Sequence, residues 1–247
     1  MLYHLLTPLA GHHIFFNLFR YITFRAAGAM VTALVLSFLL GPSIIRWLRT
    51  LRVGQVVRTD GPETHLGKAG TPTMGGVLIL VATVGATLLW ADLTNPYTII
   101  AVIVLIWTGM LGFLDDYLKV VRRRTEGLVG RYKLIGQGVL GFALAIFLWR
   151  WPISPIPANW TGLPFLSDHY LVIWELLFVP WVMLVLAGSS NAVNLSDGLD
   201  GLAAGLSAIA AATFAVFAYL IGRVDTSEYL GLIFLPGSGE LAIFCVA

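Results

Sequence analysis

Asn191-Ala-Val-Asn194-Leu-Ser-Asp197-Gly-Leu-Asp200-Gly places four polar side chains at a three-residue spacing between two apolar runs. Two amides and two carboxylates supply hard oxygen atoms, the donors that suit a magnesium ion completed by phosphate and water. Neighbouring members of the row share a helix face, but at about 100° per residue the whole row drifts by about 180°. Gly198 and Gly201 permit a helix break that would let all four converge. An ordinary polar turn, with Asn and Asp as caps, explains one or two of these residues but not the run.

Phe113-Leu114-Asp115-Asp116-Tyr117 is the second candidate. Two adjacent carboxylates at the end of an apolar run repel each other and, on a helix that stops there, face the negative end of its dipole. A helix continuing into Lys119 and Arg122 would offset part of that charge. So would a divalent cation or a proton donor, and acids at a membrane edge are functional candidates by default. The ordinary alternative is a solvated interfacial pair. The third candidate is Gly67-Lys68-Ala69-Gly70-Thr71-Pro72-Thr73-Met74-Gly75-Gly76, in which a lysine beside glycine amides and hydroxyls can hold phosphate. It is no P-loop, because the Gly61–Lys68 spacing is one residue too long and Ala69 stands where Ser or Thr is required. By itself it reads equally as a flexible loop entering a helix at Pro72 and Thr73.

The elements that must position these residues are membrane helices. The 247-residue chain is 58% hydrophobic and 11% charged, against roughly 25% charged in a soluble domain. A single cysteine, Cys245, excludes an internal disulfide and a cysteine-based zinc site, and His12-His13 are too close in sequence to share a helix face. A bilayer core needs roughly 20 apolar residues per helix. Six windows qualify: Ala26–Ile45, Met74–Trp90, Thr98–Leu114, Leu134–Trp149, Tyr170–Gly188 and Leu202–Ile221. A seventh opens at Leu241. The first is too long for a cleaved signal and lacks a small-residue exit. The expected fold is a single all-α, polytopic transmembrane domain over residues 1–247, with six full helices and the start of a seventh. Glu175 is the one charge well inside a window and carries no functional weight.

Basic residues are sorted between the connections. Arg46, Arg49, Arg52, Arg58 and Lys68 follow the first window. Lys119, Arg122, Arg123, Arg124, Arg131 and Lys133 follow the third, so the two stretches hold eleven of the 15 Lys and Arg. By the positive-inside rule these stretches are cytosolic. The cytosolic loops are then about 46–73, 115–133 and 189–201, the N-terminus is periplasmic, and the proline-rich stretch from Trp151 to Pro164 is an external loop. Trp90, Trp149 and Trp151 fall at outer helix ends, where an aromatic belt belongs. All three polar motifs land on the cytosolic side, and the Asp pair and the Asn/Asp row do so although neither was used to set the orientation.

Gly54-Gln55-Val56-Val57-Arg58, Asp60-Gly61-Pro62-Glu63 and Gly70-Thr71-Pro72-Thr73-Met74-Gly75-Gly76 together resemble the first cytosolic loop of the phospho-N-acetylmuramoyl-pentapeptide transferase family. Phe113 to Asp116 and Asn191 to Gly201 are similar to its next two cytosolic motifs. The wider polyprenyl-phosphate N-acetylhexosamine-1-phosphate transferase superfamily shares the Asp pair and the Asn/Asp loop. The Gly-Thr-Pro-Thr-Met-Gly-Gly string narrows the match, and the resemblance runs from about Phe19 to the end of the chain. It implies magnesium-dependent transfer of phospho-MurNAc-pentapeptide from UDP-MurNAc-pentapeptide to undecaprenyl phosphate at the inner membrane, giving lipid I and UMP for peptidoglycan synthesis.

By the same resemblance, Asp115 and Asp116 orient or deprotonate the lipid phosphate, with Asp200 as a further catalytic carboxylate. Asn194 helps hold Mg2+. Asp197, Gly198, Leu199 and Asp200 line the uridine side, and Lys68 and Thr73 contact the nucleotide part of the substrate. The partners are then these two substrates and the surrounding membrane lipid, with a second copy of the chain as a candidate and no nucleic acid. Ser196 departs from the family's usual Thr but keeps the hydroxyl. The family's chains continue through further helices with another aspartate loop and a His-rich loop. The expectation is therefore that this chain is incomplete at its C-terminus, and that by itself it inserts in the membrane but makes no lipid I. The competing readings are a polyprenyl-phosphate GlcNAc-1-phosphate transferase, which the Gly-Thr-Pro-Thr-Met-Gly-Gly string disfavours, and a transporter or membrane scaffold. Transporter sites lie near the midplane with repeats, whereas here the charges gather at one interface.

Overall fold

The structure, a computed structural model, describes residues 1–50, 74–120, 122, 127–163, 169–197 and 201–247. Of the residues singled out above, Lys68, Thr73, Gly198, Leu199 and Asp200 lie outside that set.

A short helix α1 (Leu2–Leu6) and two 3-10 turns (Thr7–Gly11 and Ile14–Arg20) precede the long helices α2 (Ile22–Thr50), α3 (Gly76–Trp90), α4 (Pro96–Val120) and α5 (Gly130–Arg150). A hairpin of β1 (Trp160–Gly162) and β2 (Tyr170–Val172) follows. Then come α6 (Glu175–Ser196), α7 (Leu202–Ile221), a short α8 (Val224–Tyr229) and α9 (Leu241–Val246). The all-α membrane reading holds, since α2, α4, α5, α6 and α7 are each long and apolar enough to cross a bilayer. The second window is shorter than expected. α3 has 15 residues and extends about 22 Å at 1.5 Å per residue. Its start is set by Met74, whose φ of 70° lies in the left-handed region and cannot continue a helix.

Two more boundaries move. The fifth window was expected to be helical from Tyr170, but Tyr170–Val172 is strand and pairs antiparallel with Trp160–Gly162. The Asn159 and Ile173 main chains prolong the ladder, and Trp160 packs diagonally on Tyr170 with ring centroids 5.6 Å apart. Glu175 then falls in the first turn of α6, where a carboxylate suits the positive end of the helix dipole. At their other ends, α4 and α6 run past the expected limits to Val120 and Ser196. Asp115, Asp116, Asn191 and Asn194 therefore sit on terminal helical turns rather than in loops.

Helix packing relies on small residues, as expected where lipid supplies no hydrophobic drive between helices. Ala29, Ala33, Ala86, Ala91 and Ile243 form a closed core between α2, α3 and α9. Gly28 faces the Trp90 ring so closely that a Cβ there would lie 2.5 Å from it. That indole is held by a 2.8 Å bond from its Nε1 to Thr32 and stacks on Phe19. The second close pairing is α5 against α6, where a Cβ on Gly141 would come within 2.9 Å of the Met183 main chain.

One contact that sequence reading missed closes the first cluster. Arg25, near the start of α2, is 2% exposed and makes a two-pronged ion pair with Glu240, just before α9. Its guanidinium also lies 4.4 Å from the Tyr3 ring centroid. Glu240 in turn accepts the Asp92 amide at 3.0 Å. Nothing local in the sequence links positions 215 residues apart; the only signal was a lone acid before an apolar run.

Candidate functional site

Asp115 and Asp116 share the last turns of α4 but face different surroundings. Asp115 is 8% exposed. It takes the Lys119 ammonium at 2.8 Å, one turn along the helix, and accepts the Leu128 amide at 2.8 Å. The carboxylate thus ties α4 to the turn leading into α5. Gly127 in that turn has φ of 62°, and a Cβ there would collide with the Asp115 carboxylate and Lys119. Only glycine satisfies both constraints. Asp116 is half-buried and makes no such bridge. It lies within electrostatic range of Lys119, Lys133 and Asp197.

The α6 motif divides in the same way. Asn191 turns into the seam with α5, donating to Gln137 Oε1 at 2.9 Å and to the Ala187 carbonyl at 2.8 Å. Asn194 meets Lys133, whose Nζ donates to its Oδ1 at 3.3 Å. Asn194, Asp197, Lys133, Gln137 and Ser190 line a cleft of about 250 Å3 against Thr108 and Gly112 of α4. Gly201, with φ of 80°, supplies the expected break before α7. Among the described members of the row, Asn194 and Asp197 share the cleft while Asn191 braces the helix behind it.

The remaining motif reaches the site through Met74. Its side chain is buried with Leu48 beside Ile44 and Tyr117, so the residue that ends the first connection packs against the neighbour of Asp116. The left-handed backbone at Met74 is a strained conformation for a non-glycine residue, of the kind that clusters at functional sites. Lys119 offsets the Asp pair as expected of a helix that continues past it. Lys133 and Gln137 are site residues that the sequence motifs did not single out; Lys133 was visible only as part of the basic stretch, and Gln137 as a polar residue inside an apolar window.

The cleft continues into a second space. An apolar groove of about 710 Å3 runs between α4, α5 and α6 from Thr161 and Ile173 at the hairpin to Ser190 and Val193. It shares Thr108, Ser190 and Val193 with the polar cleft. One end of this path is charged and the rest is hydrocarbon-like, which suits an amphiphile with an anionic head.

The sequence profile of Glycosyl transferase family 4 matches residues 97–245, and the phospho-N-acetylmuramoyl-pentapeptide-transferase signature 1 matches residues 68–80. The whole chain aligns with a phospho-N-acetylmuramoyl-pentapeptide-transferase of Gemmatimonas aurantiaca at 54% identity, covering 67% of that relative. The chain belongs to the phospho-N-acetylmuramoyl-pentapeptide transferase family. Like-named relatives from Granulibacter bethesdensis and Citrifermentans bemidjiense are 51% and 49% identical over the whole chain, which spans 68% of each. Within this transferase family frame, the matched signature begins at Lys68 and runs through Met74 into α3. The profile spans the α4 carboxylates and the α6 cleft.

Among the described residues, no group of three His, Cys, Asp or Glu side chains gathers as a metal cluster. The cleft's own donors are still the right kind for magnesium. Asn194 Oδ1 and the Asp197 carboxylate are hard oxygens, and the Asn194 oxygen already faces a cation, the Lys133 ammonium.

Proposed function

We propose that this chain carries out the reaction for which its relatives are named. It moves phospho-MurNAc-pentapeptide from UDP-MurNAc-pentapeptide to undecaprenyl phosphate. An oxygen of the lipid phosphate attacks the sugar-bound phosphorus, the bond to the UMP phosphate breaks, and lipid I and UMP result. The observation that carries this reading is the junction of the charged cleft with the apolar groove, which offers one place to a soluble anion and a membrane lipid. Phosphoryl transfer needs positioning and charge neutralisation more than covalent help, and the cleft is built from such groups. Asp116, within electrostatic range of Lys133 and Asp197 of the cleft, orients or deprotonates the lipid phosphate, and Asp115 holds the adjoining turn in place. Lys133 offers positive charge to the donor's phosphates. Asp197 with Gly198, Leu199 and Asp200 serves the uridine side, and Lys68 and Thr73 the nucleotide part. Asn194 and the neighbouring carboxylates would hold Mg2+, which when bound neutralises phosphate charge.

Because residues 1–247 match 67% of the Gemmatimonas relative's length, they can replace the matching segment of that protein. The chimera is assayed in membranes depleted of the endogenous enzyme. The expected result is magnesium-dependent release of UMP with lipid I from UDP-MurNAc-pentapeptide. Transfer from UDP-GlcNAc in its place would assign the chain to the sister activity.

The orientation follows from the basic residues. With Cys245 replaced by Ser, cysteines at Ser154 and at Arg131 are exposed to an impermeant thiol reagent on intact spheroplasts. Position 154, beside the hairpin, is expected to label, and position 131, at the start of α5, to be protected. The reverse pattern would put the cleft on the wrong side of the membrane for a cytosolic nucleotide sugar.

A further inference from the structure

We infer that Gln137 is a positioning residue. It fixes the rotation of the last turns of α6 about the helix axis, so that Asn194 and Asp197 face the cleft. Gln137 is 1% exposed in the middle of an apolar helix, where an unpaired amide is costly. Both ends of its side chain are used across the seam. Nε2 donates to Ser190 Oγ at 2.9 Å, and Oε1 accepts from Asn191 Nδ2 at 2.9 Å.

Lys133, Gln137 and Gly141 of α5 meet α6 at three successive heights of the seam. Gly141 lets the Met183 main chain approach closely, which holds the helices together there and leaves the twist of the last turns of α6 to be set elsewhere. The Lys133–Asn194 rung is a single 3.3 Å contact between groups at the exposed end. Only the Gln137 rung grips α6 at two consecutive residues, and a grip on two side chains about 100° apart resists rotation in both senses. Asn194 follows Asn191 by three residues, close to one helical turn, so holding Asn191 in the seam sets where Asn194 points. Without Gln137, Asn191 retains the Ala187 carbonyl of its own helix, and the last turns of α6 lose their buried polar hold on α5.

The consequence for turnover rests on the transferase reading, but the geometry can be tested without it. Residues 1–247 are placed in membrane vesicles with Cys245→Ser, and two cysteine pairs are cross-linked by a short bifunctional thiol reagent. Lys133→Cys with Asn194→Cys reports the cleft end of the seam, and Gly138→Cys with Met183→Cys reports the packing beyond it. Gln137→Leu is expected to slow the 133/194 cross-link by about tenfold, the scale of one lost buried hydrogen bond, while the 138/183 cross-link keeps its rate. Gln137→Asn is too short for the seam and Asn191→Gln too long. Each alone should slow the 133/194 reaction, and the two together should restore it. An unchanged 133/194 rate in Gln137→Leu would overturn the assignment. Equal loss of both cross-links would overturn it too, since Gln137 would then hold the helices together rather than orient one of them.

Discussion

Asp116→Asn is expected to lower the turnover of the chimera by at least ~100-fold, the low end of what a positioned acid–base or charge-stabilising group supplies, with insertion unchanged. Asp116 lies within range of two lysines and Asp197 and spends none of its oxygens on a bridge to the main chain. The substitution therefore removes a charge near the cleft without breaking a bridge that holds the turn. Asp115→Asn should also lower turnover, by a different route. It weakens the Lys119 pair and the bond from Leu128, so protease cutting or thiol labelling near Gly127–Val129 should rise. Asp116→Asn should leave that local readout at the parent's level. Near-parental turnover in a correctly inserted Asp116→Asn protein would return the Asp pair to an ordinary solvated pair. Equal loosening of the turn in both variants would remove the division of labour between the two carboxylates.

Breaking the Arg25–Glu240 pair is expected to give the largest loss of stability. Removing one partner leaves the other charge buried without compensation, a loss of about 3–5 kcal/mol in buried pairs of this kind. Arg25 is almost wholly enclosed, and its partner's side chain is 9% exposed. Neither group can turn to water without opening the contact between α2 and the segment before α9. Arg25→Met and Glu240→Leu singly should each lower the unfolding free energy in mixed micelles by that amount. The double variant should recover most of the loss, because apolar groups of similar volume replace a buried pair at little net change. Part of the loss will remain, since Glu240 also receives the Asp92 amide. If the double variant is no better than the sum of the singles, the two groups are not coupled. If Arg25→Met alone is harmless, the site is wetter than its burial indicates.

The class of the protein and the identity of its polar motifs are legible in the order of its residues alone. A bilayer imposes a length and a composition on each crossing, and both are properties of consecutive residues. The windows of α2, α4, α5 and α7 could therefore be read directly, and among the described residues five helices meet the requirement. The resemblance to the family also lay in contiguous strings, which is why Asp115, Asp116, Asn194 and Asp197 could be named before any of them had a position.

What the sequence could not settle were the points at which distant segments choose partners. Tyr170–Val172 reads as apolar helix until Trp160–Gly162 lies beside it, because a short apolar run satisfies either period. α3 begins at Gly76 because of one backbone angle at Met74. Asn191 and Asn194 look equivalent in the motif, and only α5, with Gln137 and Lys133 in register, turns one into the seam and the other into the cleft. The two carboxylates of the Asp pair part company for the same reason, one captured by Lys119 and Leu128 and the other left within electrostatic range of Lys133 and Asp197. Arg25 and Glu240 are the extreme case. Each is an isolated charge at the edge of an apolar run, and the free energy that fixes both exists only once the first long helix and the last have met.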